Sequence, residues 1–281
     1  MNKDKQKTEA IQFASSSLLT RSVRWLRKPS AERNRLLLNK IKNVTTIPFY
    51  FSKSHLLNVF LAYQPDSHVF FNNHPEFYPL WNSFTNHNKI NNAGDITRLW
   101  SFILNLKQVM SENIEGDFAE LGVWRGNTAS VLAYYASKNN RQLYLFDTFE
   151  GFNSKDIVGI DANKPMEFSN TSVNMVKEVI GENSGVCHFV KGYFPESIDN
   201  EHRTKKFAVV SLDCDLYEPM RAGLEFFYPL MPKGGLFLLH DYSSLFWDGS
   251  KKAIDEFCQM NQEYVILMPD KSGSVFIRKS K

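Results

Sequence analysis

The sequence predicts an α/β protein: a doubly wound, mostly parallel seven-stranded sheet with an antiparallel C-terminal hairpin, preceded by a helical N-terminal extension. Three observations predict it. From residue 94 onward, apolar runs of strand length alternate with longer segments whose apolar residues recur at helical spacing, the pattern of parallel strands joined by crossover helices. The runs FAVVSL and LFLL are almost wholly apolar, as strands covered on both faces are. The last two runs are separated only by the short polar turn Pro269-Asp270-Lys271-Ser272-Gly273, too short for a crossover, so one strand must run against the rest.

Taken in order, residues 1–15 are polar and read as disordered, and residues 18–42 read as one or two helices, with Pro29-Ser30 as a break and restart. Residues 47–93 are rich in aromatics and show no clear period. Gly94-Asp95 opens a new unit, which divides the chain into an extension, residues 1–93, and an α/β domain, residues 94–281. Leu99, Ile103, Leu106, Val109 and Met110 share one face and predict a helix over 96–112. The domain then reads as strand 117–121, helix 128–137, strand 143–146, helix near 170–179, strands 186–190 and 207–212, helix 219–228, strand 236–239, helix 251–259, and strands 264–267 and 274–278. The connection over residues 151–172 is long and polar and reads as a lid.

Composition narrows the classes. A hydrophobic share of 43% supports a sizeable core, and no apolar run is long enough to span a membrane. The start, MNKDKQKTEAIQ, lacks the apolar core of a signal peptide. Cys187, Cys214 and Cys258 are far apart and fit a reducing cytoplasm better than a disulfide framework. Residues 1–45 hold 11 Lys/Arg against 3 Asp/Glu, a net of +8 that leaves −5 on the remainder. Such an arm is a solvated helix or a contact with an anionic surface, the inner face of a membrane included. Nucleic acid is not expected, because no binding module accompanies the charge. The aromatic segment would suit a homo-oligomer interface.

The chemistry gathers at strand ends. In open α/β sheets ligands bind at the carboxyl ends of the strands. The run FAVVSL emits Asp213 and Asp215, and LFLL emits His240 and Asp241; carboxylates and an imidazole in one crevice suit a divalent cation and proton transfer. After the first strand, Glu120-Leu-Gly122-Val-Trp-Arg-Gly126-Asn127-Thr128 supplies glycines that let backbone approach a ligand. Its spacing is G-x-x-x-G and does not match the pyrophosphate fingerprint. Asp147, 25 residues past Gly122, ends the second strand where a carboxylate can accept ribose hydroxyls. Together the glycine loop and the acid indicate a nucleoside-containing cofactor.

GDFAELGVWRGNTA, LFDTFEGF, KGYFPES, SLDCDLYEP and GGLFLLHDYSS, in this order, resemble the macrocin-type (TylF-like) O-methyltransferases over residues 94–281. The resemblance implies a class I, Rossmann-like methyltransferase fold, S-adenosylmethionine as cofactor, and a sugar hydroxyl of a glycan or glycosylated natural product as acceptor. It implies that Glu120, Gly122, Gly126, Asn127 and Thr128 hold the methionine part of the cofactor, that Asp147 binds ribose, and that Phe149 and Gly192 lie along the adenosine. It further implies a divalent metal on Asp213 and Asp241, magnesium in most such proteins, and Asp215 as general base. One position departs: the family's acidic pair before Tyr242 is here His240-Asp241. An imidazole at the metal would admit manganese or zinc; otherwise His240 serves as base or holds a ligand. Two other readings remain at this stage, a nicotinamide-dependent nucleotide-sugar oxidoreductase or epimerase, and a non-catalytic cofactor-binding scaffold.

Overall fold

The computed structural model describes residue 71 and residues 73–281, apart from residues 245 and 269. The helices expected over 18–42, the basic arm and the aromatic runs before residue 71 lie outside the described residues. The described residues belong to a compact unit, Asp66–Lys281. Its elements run α1 (Phe77–Thr85), α2 (Lys89–Asn92), α3 (Ile96–Ser111), β1 (Asp117–Leu121), α4 (Asn127–Lys138), β2 (Leu143–Asp147), α5 (Val173–Ile180), β3 (Cys187–Lys191), β4 (Phe207–Leu212), α6 (Tyr217–Leu230), β5 (Leu236–Leu239), α7 (Asp248–Asn261), β6 (Ile266–Leu267) and β7 (Val275–Arg278).

The seven strands form one sheet in the order β3-β2-β1-β4-β5-β7-β6. Strands β1 to β5 pair in parallel, and β7 pairs antiparallel with both β5 and β6. The hairpin predicted from the polar turn is therefore present, and β7 is the reversed strand inserted between β5 and β6.

Side chains alternate across the sheet and fill a core on each face. Phe118, Leu143, Leu145, Val209, Leu236 and Leu238 face the core with α1, α3, α4 and α5. Ala119, Leu121, Phe146, Val210, Leu212, Phe237 and Leu239 face the core with α6 and α7. Burial on both sides explains why the strands read as continuous apolar runs.

Among the described residues, the aromatic stretch before Gly94 holds the helices α1 and α2. In α1, Phe77, Leu80 and Phe84 are buried, at helical spacing, and the helix packs on α3 and α4. Tyr78 and Trp81 pack partly buried against the same core, so apolar residues surround much of the helix and blur its period. The Asp95 side chain caps α3 by accepting from the Arg98 N–H at 3.3 Å. No helix among the described residues is long and apolar enough to cross a membrane.

Candidate active site

The chain runs outward from β1 to β3 and returns to β4 beside β1, so the sheet reverses its order between β1 and β4, the place where α/β sheets open a crevice. The two strand exits touch there. Gly122 has φ +83°, and a Cβ built on it would lie 2.0 Å from the Asp213 carbonyl oxygen. Only glycine permits that approach. A cavity of about 420 Å³ opens above these exits and reaches from the glycine loop to the acids after β4 and β5, a size suited to a small-molecule ligand.

At the glycine-loop end, Asp147 organises the backbone. Its Oδ2 accepts from the N–H groups of Val123 at 2.6 Å and Trp124 at 2.9 Å, and its Oδ1 accepts from the Phe149 N–H at 2.6 Å. Glu120 is buried, with one oxygen 3.5 Å from the Ser211 hydroxyl and Oε2 without a partner. Burial, and then the charges of Asp213 and Asp147, push the Glu120 carboxyl well above the usual carboxylate range. Asn127 and Thr128, in the first turn of α4, line the cavity, as does Gly192 after β3. The Asn127 amide also donates to the carbonyls of Ser83 and Asn86 at 3.1 and 2.7 Å, tying down the end of α1.

Two of the residues grouped with these by sequence lie elsewhere. Gly126 is not among the cavity-lining residues; it starts α4 with φ +80°, and a Cβ there would meet Val176 at 2.7 Å, so it allows α5 to pack close. Phe149 is buried, with its ring 6.2 Å from that of Phe189, and does not line the cavity; what it offers the site is the backbone N–H that holds Asp147.

At the other end, one carboxylate oxygen from each of Asp213, Asp215 and Asp241 lies within 4.8 Å of the others. Asp215 and Asp241 sit on left-handed backbone, with φ of 61° and 59°, which Asp tolerates better than most residues. Burial and the neighbouring carboxylates push both side chains well above the usual range. His240 does not belong to that oxygen group. Its Nδ1 is 3.6 Å from Asp213 Oδ2, its Nε2 is buried without a partner, and burial lowers its pKa. The imidazole is thereby held neutral and retains one lone pair.

Fit to a divalent cation can be judged from the donors. Three convergent carboxylates repel one another, and a cation between them would relieve that cost. Oxygen donors alone suit magnesium or manganese better than zinc.

The connection over residues 151–172 folds over the crevice, contributing Gly151, Phe152, Asn153, Asp156 and Phe168 to its lining. Among the bonds that anchor it, Asp156 Oδ1 accepts from the Tyr193 hydroxyl at 2.6 Å, and Asp161 Oδ2 accepts from the Tyr217 N–H, at the start of α6, at 2.7 Å. Phe168 packs edge-on to Trp124 and Phe152, with centroids 5.2 and 5.0 Å apart.

Sequence reading did not find the wall beyond His240 and Asp241, which is built from Asn88, Ile90, Asn91, Asn92 and Arg98 on one side and Lys271 and Ser272 on the other. The hairpin turn carried the only available signal, its polar Lys271-Ser272 pair facing the same strand ends.

The sheet order, with its reversed strand between β5 and β6, defines the class: this is a class I methyltransferase fold. The chain belongs to the macrocin-O-methyltransferase (TylF) family, whose family model matches residues 94–279. It is 24% identical over 164 residues to 8-demethyl-8-(2,3-dimethoxy-alpha-L-rhamnosyl)-tetracenomycin-C 4'-O-methyltransferase of Streptomyces olivaceus, covering 54% of this chain and 61% of that protein. It is 25% identical over 174 residues to demethyldecarbamoylnovobiocin O-methyltransferase of Streptomyces niveus, covering 58% and 65%. The chain thus spans less than two thirds of the length of either relative. Among solved structures, the O-methyltransferase NovP superposes with a TM-score of 0.56 at 21% identity, over 66% of this chain and 81% of that one. The calicheamicin methyltransferase CalS11 superposes with a TM-score of 0.52 at 20% identity, over 89% and 94%.

Proposed function

We propose that this protein is an S-adenosylmethionine-dependent O-methyltransferase that methylates a sugar hydroxyl of a glycosylated small molecule with the help of a divalent cation. The observation that carries the reading is one cavity joining the Asp147-stapled glycine loop to the three carboxylates after β4 and β5. Family membership supports the reaction class, and two relatives named for glycosylated natural products support the acceptor class.

When bound, S-adenosylmethionine supplies an electrophilic methyl group, and a divalent cation lowers the pKa of a hydroxyl bonded to it. The chain's own residues do the remainder. Glu120, with its unpartnered Oε2, receives the cationic amino group of the methyl donor. Asp147 holds the glycine loop in shape and keeps one lone pair for a ribose hydroxyl. Gly122, Asn127, Thr128 and Gly192 shape the same end. Asp213 and Asp241 would hold the cation. Asp215, beside the two carboxylates that would hold the cation, takes the proton from the acceptor hydroxyl. His240 hydrogen-bonds the acceptor from outside the oxygen cluster. Much of the rate comes from alignment of the hydroxyl oxygen with the methyl carbon.

Calorimetric titration with S-adenosylmethionine, with and without magnesium or manganese, tests the reading. Saturable binding of the donor, with a heat change that depends on the cation, is expected. Binding of NAD in place of the donor would move the nicotinamide reading forward, and binding of neither would favour the scaffold.

A further inference from the structure

We infer that Asn88, Arg98 and His240 form a recognition subsite for the acceptor's sugar ring, one that accepts a neutral polyhydroxylated ring and not an anionic group. The inference deepens the proposed function and rests on it.

Three buried polar atoms without hydrogen-bond partners belong to residues lining the cavity beyond the carboxylates: Asn88 Oδ1, Arg98 Nε and His240 Nε2. Their residues are only 6%, 6% and 1% exposed. A buried polar group left unpaired keeps its desolvation cost uncompensated, and three beside one cavity indicate that something bound there completes them.

The surroundings of Asn88 and Arg98 show how two of them are left unpaired. Asn88 occupies the N-cap position of α2, where an asparagine side chain normally accepts a backbone N–H, yet makes no such bond. Arg98 donates to the Ser272 hydroxyl at 2.8 Å and to the Asn92 side chain. Its Nε is left 3.6 Å from Asp95, beyond hydrogen-bond reach. These bonds splint the α2–α3 segment to the β6–β7 turn, where Lys271 N–H also donates to Asp95 Oδ2 at 3.2 Å. The subsite is therefore held rigid before any ligand arrives.

Charge selects the ligand. Arg98 is paired with Asp95, and Asp270 lies close enough to Asp95 to raise its pKa. Lys271 adds a second cation, its Nζ on the Ala93 carbonyl at 2.9 Å, but with Asp241 and Asp213 adjoining the carboxylates outnumber the cations and the wall offers no surplus positive charge to a phosphate. The unpartnered Arg98 N–H, the Asn88 carbonyl and the His240 ring nitrogen instead match ring hydroxyls, which both give and take hydrogen bonds. Ile90, 84% exposed on the turn between Asn88 and Asn92, adds an apolar contact at the rim. Asn88, Ile90 and Asn92 precede the residues that the family model matches.

The test titrates the protein, loaded with S-adenosylhomocysteine, with methyl α-L-rhamnopyranoside, reading saturation transfer to the sugar protons. Saturable binding is expected, weakened at least ~10-fold in Asn88→Leu while S-adenosylhomocysteine binds as before. Asn88→Ser is the second variant, small enough to fold if leucine is not tolerated, and the same loss is expected of it. The subsite is overturned if a variant that still binds S-adenosylhomocysteine takes the glycoside as wild type does, or if loaded wild type shows no saturable binding. Failure of wild type to bind S-adenosylhomocysteine would bring down the methyl-donor reading and the subsite with it.

Discussion

The two ends of the cavity are built on opposite principles. At the glycine loop the chain satisfies itself: three backbone N–H groups converge on Asp147. At the far end, Asp213, Asp215 and Asp241 face one another, and Asn88, Arg98 and His240 keep polar atoms unpaired. A self-satisfied end is preformed and holds its ligand by shape. An unsatisfied end carries a standing cost that a cation and ring hydroxyls would relieve. Glu120 crosses the division, because its Oε2 is an unpaired atom beside the satisfied loop.

The contrast can be broken most severely at the unsatisfied end. Asp215→Asn keeps the side chain's size and removes its basicity, so turnover is expected to fall ~10²–10⁴-fold while donor affinity stays within a few-fold. Single-turnover kinetics beside donor calorimetry reads both. Unchanged turnover would remove Asp215 as base. At the satisfied end Asp147→Ala deprives three N–H groups of their acceptor. A stability loss of about 2–4 kcal/mol is expected, with donor binding lost, by urea melts and calorimetry. A variant that keeps full stability would mean that water replaces the carboxylate and the loop needs no staple.

The satisfied end was the legible one. The glycines and Asp147 stand beside apolar runs, so strand, turn and site can be read together. The acids after β4 and β5 were legible for the same reason. Asn88, Ile90 and Arg98 were not, because they reach the site by packing of α1 to α3 on the domain, and no local pattern records that. Aromatic residues around α1 hid its period as well. Phe149 shows the converse: the motif is present, but its ring turns into the core while its N–H serves the site. His240 stands beside the acids in sequence and outside their oxygen cluster in space.

Glu120 sharpens the comparison through pH. Burial raises its pKa well above the ordinary value of 4.5, so part of the free protein carries it protonated above that pH. If the cationic donor binds the carboxylate form, binding releases a proton, and affinity rises with pH until the raised pKa is passed. Glu120→Gln is expected to weaken the donor ~10-fold, about one charge-assisted bond, and to remove the pH slope. Calorimetry in two buffers of different ionisation heat measures the released proton. The same slope in the variant would assign the proton to another group.

The smallest expected effect concerns the segment covering the cavity. Asp161 is fully buried between the starts of α6 and α7: its Oδ2 accepts from Tyr217, and a Cβ on Gly249 would lie 2.3 Å from that oxygen. Burial raises its pKa above 3.8, only partly offset by the Tyr217 bond. An acid with a raised folded pKa contributes stability that is complete below its unfolded value and lost as pH rises through the folded one. Asparagine keeps the oxygen for Tyr217 and never ionises. Asp161→Asn should therefore match wild type at about pH 3, below the unfolded value, and be the more stable of the two at pH 7, whereas Asp161→Ala should lose about 1–2 kcal/mol at both. Urea melts across that range decide it. If Asp161→Asn is weakened at pH 7 as much as alanine, the positive ends of α6 and α7 outweigh burial, and the charge on Asp161 anchors the segment over the cavity.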